Sequence, residues 1–99
     1  MKQENAMNQN EKTGNALLRI SRMETYMDEV ANALRQGLPL NTSELQKKIH
    51  CLKDYMDSGL WLQDYEMDER GELPHDLKRG VLSQDALYDL LTAIENPEA

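Results

Sequence analysis

Apolar side chains recur at steps of four and three residues in the early part of the chain, which is the spacing of one face of an α-helix. The stripe consists of Ala16, Ile20, Met23, Met27, Val30 and Leu34. Gly37 is the residue type common just past a helix end, and Pro39 opposes further helix. The spacing therefore predicts a helix over residues 15–36 whose single apolar face needs a packing partner.

A second amphipathic segment follows this break, and it is the nearest element against which the apolar face of the first helix can pack. Asn41, Thr42 and Ser43 each offer a side-chain oxygen that caps a new helix, and Gly59 marks its end, so a helix is predicted over residues 42–58. Its apolar positions are Leu45, Ile49, Leu52 and Met56. A short connection favours an antiparallel hairpin of the two helices. The first stripe would equally serve an intermolecular coiled coil, so self-association stays open.

The rest of the chain has weaker periodicity. Residues 60–82 contain glycine and proline and show no sustained period, which predicts an ordered loop with short helical turns. Ser83 is positioned to cap a last helix over residues 83–95. The inward positions of that helix are Ala86, Leu87, Leu90, Leu91 and Ile94. Residues 1–14 are polar with little to bury, which predicts a disordered arm.

The chain of 99 residues has the size of one domain. Residues 15–96 are therefore predicted to form a single all-α domain, built from an antiparallel helical hairpin, an ordered acidic loop and a C-terminal helix. A single cysteine cannot close an intramolecular disulfide, and no apolar stretch approaches the roughly 18 residues of a membrane span. The start also lacks the pattern of a secretory signal. A soluble, cytoplasmic protein is expected.

The net charge of −7 is concentrated in residues 54–76. The acids of this window are Asp54, Asp57, Asp64, Glu66, Asp68, Glu69, Glu72 and Asp76. Arg70 is its only base, so the remainder of the chain is formally neutral. Such a negative field disfavours nucleic-acid phosphates and anionic membranes and attracts a basic protein. A solvated loop that only keeps the protein soluble would carry the same charge. Lys78 and Arg79 follow the window and are expected to pair with nearby acids.

Catalytic and metal-binding patterns are sparse. Four clustered carboxylates resemble a hard-cation site: Asp64, Glu66, Asp68 and Glu69. The EF-hand spacing fails, because the sixth position counted from Asp64 is Glu69 rather than glycine. His50 and Cys51 are adjacent, so on a helix they point about 100° apart and make a poor base and nucleophile pair. No phosphate-binding loop, nucleophile elbow or paired CxxC occurs, so no catalytic residue, metal ligand or cofactor is predicted.

The second half of the chain carries a longer pattern. Residues 55–91 read YMDSGLWLQDYEMDERGELPHDLKRGVLSQDALYDLL. The pattern W..D.E.DE.G.LP.DLKRGVLS.D..Y.LL is carried by Trp61, Asp64, Glu66, Asp68, Glu69, Gly71, Leu73, Pro74, residues 76–83, Asp85, Tyr88, Leu90 and Leu91. This segment resembles the family known as domain of unknown function 4298. The resemblance implies a bacterial, intracellular, helical protein of about this length, and it brings no established activity.

Localised charge with aromatic neighbours makes residues 61–79 the candidate interaction surface. The candidate residues are Trp61, Asp64, Tyr65, Glu66, Asp68, Glu69, Arg70, Lys78 and Arg79. The preferred hypothesis is a non-catalytic protein–protein interaction module with a basic partner, in which neutralising Asp64, Asp68 and Glu69 together leaves folding intact. An alternative is a divalent-cation-dependent enzyme or ligand-binding protein that uses the same carboxylates. A third hypothesis is an acidic mimic that blocks a nucleic-acid-binding protein.

Overall fold

The computed structural model describes residues 9–95, and all regular structure in that part of the chain is helical. The elements are α1 (Gln9–Arg35), α2 (Ser43–Asp57), α3 (Leu60–Glu69), a short 3-10 turn (Gly80–Leu82) and α4 (Gln84–Glu95). The all-α prediction is therefore confirmed over the described residues. None of these helices is long and apolar enough to cross a membrane.

The first helix already includes Gln9, the first described residue, so the chain is helical before the predicted start at residue 15. Residues 9–14 are thus helical, which corrects the prediction of a disordered arm over residues 1–14, while residues 1–8 lie outside the described part of the chain. Glutamine, glutamate and lysine are good helix formers. Extending an existing helix fixes only one residue for each new hydrogen bond, so polar residues can prolong α1 without a core to bury.

Both ends of the connection between α1 and α2 are capped. Gly37 has a φ of 70°, a left-handed conformation that glycine adopts without strain. The N–H of Leu38 donates to the carbonyl of Ala33 at 2.9 Å, as in a Schellman ending. On the other side, Thr42 Oγ1 accepts a hydrogen bond from the N–H of Leu45 at 3.3 Å. Among the three capping candidates in the sequence, Thr42 is the residue at the N-cap.

Residues late in α1 contact residues early in α2, and residues earlier in α1 contact residues later in α2. Late in α1, Glu29 pairs with Lys48, which lies early in α2, at 2.6 Å. Earlier in α1, Met23 lines one groove with Cys51 and Tyr55 from the later part of α2. This order is the one that an antiparallel pair requires. The α1 stripe is buried or partly buried along its whole length, so its side chains pack inside this chain and are not displayed for a coiled coil.

The helix α3 follows α2 after a single left-handed residue, Gly59, whose φ is 91°. It then lies along the N-terminal half of α1. Arg19 of α1 pairs with Asp64, and Lys12 lines a shallow cavity together with Met67. The helix α3 therefore packs mainly beside α2 and contacts α1 through Asp64 and Met67.

A regular helix over residues 60–69 corrects the prediction of a loop with short turns over residues 60–82. The buried positions of α3 are Trp61, Asp64 and Met67. One of these inward positions is charged, and Leu62 points outward with 51% of its surface exposed. The apolar period that would have identified the helix is therefore absent from its sequence.

The C-terminal segment completes the core against α1. Its buried side chains are Val81, Leu82 and Leu87. They form one apolar cluster with the buried residues of α1, α2 and α3. At its far end α4 reaches α2, where Lys53 pairs with Glu95 at 2.7 Å. The long helix α1 therefore contacts each of the other described elements, and its most extensive packing is with α2.

Candidate functional site

The central part of the acidic segment is the helix α3, which has a buried face and an exposed face. The inner face consists of Trp61, Asp64 and Met67, which are all buried. The outer face consists of Leu62, Glu66 and Glu69, which are all exposed. Positions 62, 66 and 69 are separated by four and three residues, so they form one stripe on the helix surface. The two faces place similar residues in different environments.

Asp64 is the centre of a buried polar network. Its carboxylate accepts hydrogen bonds from Arg19 Nε at 2.8 Å, from Arg19 Nη2, and from Tyr55 Oη at 2.7 Å. The side chain of Asp64 is fully buried, while 21% of that of Arg19 remains exposed. A buried carboxylate is tolerated when a cation and hydrogen-bond donors compensate its lost hydration. Asp64 therefore joins α1, α2 and α3 and offers no surface to a partner.

The same network changes the proton affinity of its members. Burial, followed by the hydrogen bond to Asp64, raises the pKa of Tyr55 above its ordinary value. The hydrogen bond from Arg19 to Asp64 raises the pKa of the guanidinium. Tyr55 therefore stays a phenol and Arg19 stays a cation throughout the physiological range. Neither group is poised to exchange a proton near neutral pH, and the network functions as a fixed structural link.

Trp61 anchors the inner face to the 3-10 turn. Its Nε1 donates to the carbonyl of Val81 at 2.9 Å, and its ring stacks on Tyr65 with centroids 5.1 Å apart. The N–H of Val81 donates to Glu24 Oε1 at 2.8 Å. Both backbone groups of Val81 are thus satisfied by side chains from other helices. A Cβ at Gly80 would lie 3.1 Å from Glu24 Oε2, so the turn approaches α1 closely.

The basic residues of the candidate segment are engaged within the chain. Arg79 Nε lies 3.1 Å from both carboxylate oxygens of Asp68, and Arg79 also donates to the carbonyls of Pro74 and His75 at 2.7 and 3.2 Å. This guanidinium therefore ties the loop after α3 back onto the helix. The other two basic side chains are exposed and also lie near acids. Arg70 pairs with Glu72 at 2.8 Å, and Lys78 lies 3.9 Å from Asp28.

The outer face of α3 is different, because its carboxylates have no such partners. Neither Glu66 nor Glu69 forms a side-chain hydrogen bond or ion pair with any described residue. Leu62 lies one helical turn before Glu66 and is half exposed. An exposed leucine beside these two acids combines an apolar contact area with a negative field, which the charge of the nearby Arg70 reduces at Glu66. Of the nine candidate residues, only Glu66 and Glu69 are both exposed and unpaired.

The carboxylates are not arranged as a metal site. Within residues 9–95, no group of three or more His, Cys, Asp or Glu side chains has the geometry to hold a metal ion. Asp64 is committed to Arg19 and Tyr55, and Asp68 is committed to Arg79. The cation-binding alternative therefore finds no ligand set in the described part of the chain.

Four residues that matter at this site were missed from the sequence. Leu62 had a local signal, because a helix through residues 60–69 would have placed it in one stripe with the two glutamates. No local sequence signal identified Arg19, Glu24 or Tyr55. Arg19 lies 45 positions from Asp64, and Glu24 lies 57 positions from Val81, so only the packing of the helices brings these partners together.

Comparison with known families identifies a family for most of the chain. Residues 20–96 match the family described as Domain of unknown function (DUF4298). The match includes most of α1, all of the later helices and both faces of α3. Comparisons with curated proteins and with solved structures found no similar protein.

Proposed function

The chain belongs to the DUF4298 family, and we propose that it is a non-catalytic protein-interaction module that binds a basic partner through the outer face of α3. The proposal rests on one observation. Leu62, Glu66 and Glu69 form an exposed stripe in which the acids form no hydrogen bond or ion pair with a described residue, whereas the inner-face acid Asp64 is fully paired.

The stripe has the chemistry of a helix that docks on a basic partner. Leu62 supplies an apolar contact that is buried on binding, and the two glutamates favour a lysine- or arginine-rich surface. Exposed ion pairs contribute only about 0–1 kcal/mol each, so the charges act mainly on partner choice and association rate. Binding is therefore expected to weaken as salt increases, because exposed charges are screened.

The test compares two pairs of neutralised acids. In the variant E66Q/E69Q, both outer-face charges are removed while side-chain length is kept. In the control D85N/D89N, two exposed acids of α4 are neutralised, so the net charge of the two variants is the same. Each protein is immobilised, exposed to a lysate of the source cells at low and high salt, and the retained proteins are identified by mass.

A basic protein retained by the native chain and by D85N/D89N, but lost with E66Q/E69Q, supports the proposal. The purified partner is then titrated, and its affinity is expected to fall roughly tenfold or more with E66Q/E69Q and with L62A. Equal affinity for all four proteins would contradict the proposal. Displacement of the same partner by DNA would instead favour an acidic mimic of nucleic acid.

A further inference from the structure

A cavity lies between α1 and the loop that joins α3 to the 3-10 turn. Its volume is about 400 Å³, and no residue of the outer face of α3 lines it. Positions 21, 24 and 28 of α1 are spaced by three and four residues, so they form one face of that helix. The lining side chains include Ser21, Glu24 and Asp28 of α1 and Asp76, Leu77 and Lys78 of the loop.

Glu24 is a buried carboxylate in the wall of this cavity. Glu24 and Asp64 are the charged side chains that are buried in the described part of the chain, with 9% and 0% of their surface exposed. Asp64 is neutralised by Arg19, whereas Glu24 forms no ion pair with a described residue. Its Oε1 accepts the N–H of Val81, and its Oε2 accepts no hydrogen bond from a described residue. Buried acids are normally paired with a cation, so Glu24 has the chemistry of a group that binds one from outside the chain.

The exposed charges of the cavity leave it negative. Asp76 forms no hydrogen bond or ion pair with a described residue. The ammonium of Lys78 lies 3.9 Å from Asp28, and 78% and 56% of these two side chains are exposed. A pair at this distance and exposure contributes little. Three carboxylates therefore share the cavity with one loosely held ammonium.

We infer that this cavity binds a primary alkylammonium group, with Glu24 as its counterion. An ammonium is a compact charge with three N–H donors, which fits the one oxygen of Glu24 that Val81 leaves free. A guanidinium instead favours two carboxylate oxygens side by side, as Arg19 uses both oxygens of Asp64. Within residues 9–95 no group of acidic, histidine or cysteine side chains fits a metal ion, so the negative field suits an organic cation.

The other lining groups fit the rest of such a ligand. Leu77 is half-buried and offers apolar surface to methylene groups, and the hydroxyl of Ser21 is an acceptor for a second N–H of the ammonium. Asp28 and Asp76 are exposed and attract a second positive charge, so a diamine is expected to bind more tightly than a monoamine. The ligand class is an aliphatic amine, whether a free diamine or the side chain of a lysine.

The test is a titration of the full chain with putrescine, followed by amide NMR at constant ionic strength, with sodium chloride as the reference. The amides of Val81 and of residues 76–78 are expected to shift and to saturate, with a dissociation constant in the millimolar range. E24Q keeps the side-chain length and an oxygen for the N–H of Val81 but removes the charge. It is expected to weaken putrescine binding roughly tenfold or more.

Matched variants locate the effect in the cavity. E29Q neutralises an exposed acid of the same helix and is expected to bind putrescine as the native chain does. D76N removes an exposed, unpaired charge of the cavity, so it is expected to fold normally and to weaken binding by up to about fivefold. K78A removes the ammonium that competes for Asp28 and is expected to strengthen binding by a similar factor.

Two further comparisons identify the source of the ammonium and separate this site from the α3 surface. Tighter binding of putrescine than of Nα-acetyl-lysine amide assigns the cavity to a free diamine, and the reverse order assigns it to a lysine side chain. Both orders support an ammonium site. E66Q/E69Q is expected to bind putrescine as the native chain does, so this inference and the proposed α3 surface are tested independently.

Amide shifts that spread over residues 54–76 and are reproduced by sodium chloride overturn the inference, because they report only the screening of charge. The same conclusion follows if E24Q keeps its helical fold and binds putrescine with native affinity. If E24Q does not fold, the exposed positions decide. Native affinity in both D76N and K78A then overturns the inference.

Discussion

The inner and outer faces of α3 use similar side chains for different purposes. Asp64 and Glu66 are two positions apart, but Asp64 is buried against Arg19 and Tyr55, whereas Glu66 is exposed and forms no hydrogen bond or ion pair with a described residue. Trp61 and Leu62 show the same contrast among the larger side chains. The density of charge in a segment therefore does not identify its binding surface, because the direction of each side chain decides whether its charge is available.

Removing the inner-face charge is expected to have the largest effect. D64A leaves Arg19 without its carboxylate and Tyr55 without its acceptor in a buried site. We expect the free energy of unfolding to fall by about 3–5 kcal/mol, as when one partner of a buried ion pair is removed. Urea unfolding followed by the fluorescence of Trp61, the only tryptophan, measures this change. A loss below about 1 kcal/mol would show that the network is not structural.

The contact of Glu24 with the 3-10 turn is expected to give the next largest effect. E24A leaves the buried N–H of Val81 without an acceptor, which costs about 1–3 kcal/mol. E24Q keeps an oxygen in reach of that N–H and is expected to lose less. E29A is the surface control on the same helix, because Glu29 is half exposed in its pair with Lys48. Similar unfolding curves for E24A and E29A would contradict the assigned role of Glu24.

Tyr55 provides a smaller effect that depends on pH. Y55F removes one of the hydrogen bonds to Asp64 and leaves those from Arg19, so the expected loss at neutral pH is about 1–2 kcal/mol. Because the folded state raises the pKa of Tyr55, it retains the phenol proton where the unfolded chain, with a pKa of about 10, loses it. The stabilisation is complete below that pH and decreases as the pH rises above it.

The pH dependence is measured as a difference between two proteins. Native and Y55F chains share every other titrating group, so subtracting their unfolding free energies isolates Tyr55. We expect a constant difference up to about pH 9 and a shrinking one above about pH 10. A difference that grows with alkalinity would show the opposite sign and contradict the raised pKa.

Changes on the outer face are expected to have the smallest effect on stability. E66Q/E69Q is expected to alter the free energy of unfolding by no more than about 0.5 kcal/mol, since both side chains are exposed and unpaired. The result matters because any loss of partner binding in this variant then reflects the surface and not the fold. The triple replacement of Asp64, Asp68 and Glu69 lacks this property, because Asp64 is buried and Asp68 pairs with Arg79.

Much of the fold could be read from local patterns. The stripe of α1, the ending at Gly37 and the cap at Thr42 depend on residues close together in sequence, and periodicity and capping chemistry describe them well. The helix α3 could not be read in this way, because Asp64 occupies one of its inward positions. A charged residue there is stable only through partners that local sequence does not contain.

Local sequence patterns were sufficient to predict a helical chain, the position of its longest apolar face, and the concentration of negative charge in one segment. Which of those charges remain available depends on how the helices pack. Arg19, 45 positions away from Asp64, neutralises the inner face, and no helix of the described chain covers Glu66 and Glu69. Burial and ion pairing depend on distances in space, and those distances are set when α3 packs beside α2 and brings Asp64 to Arg19 of α1.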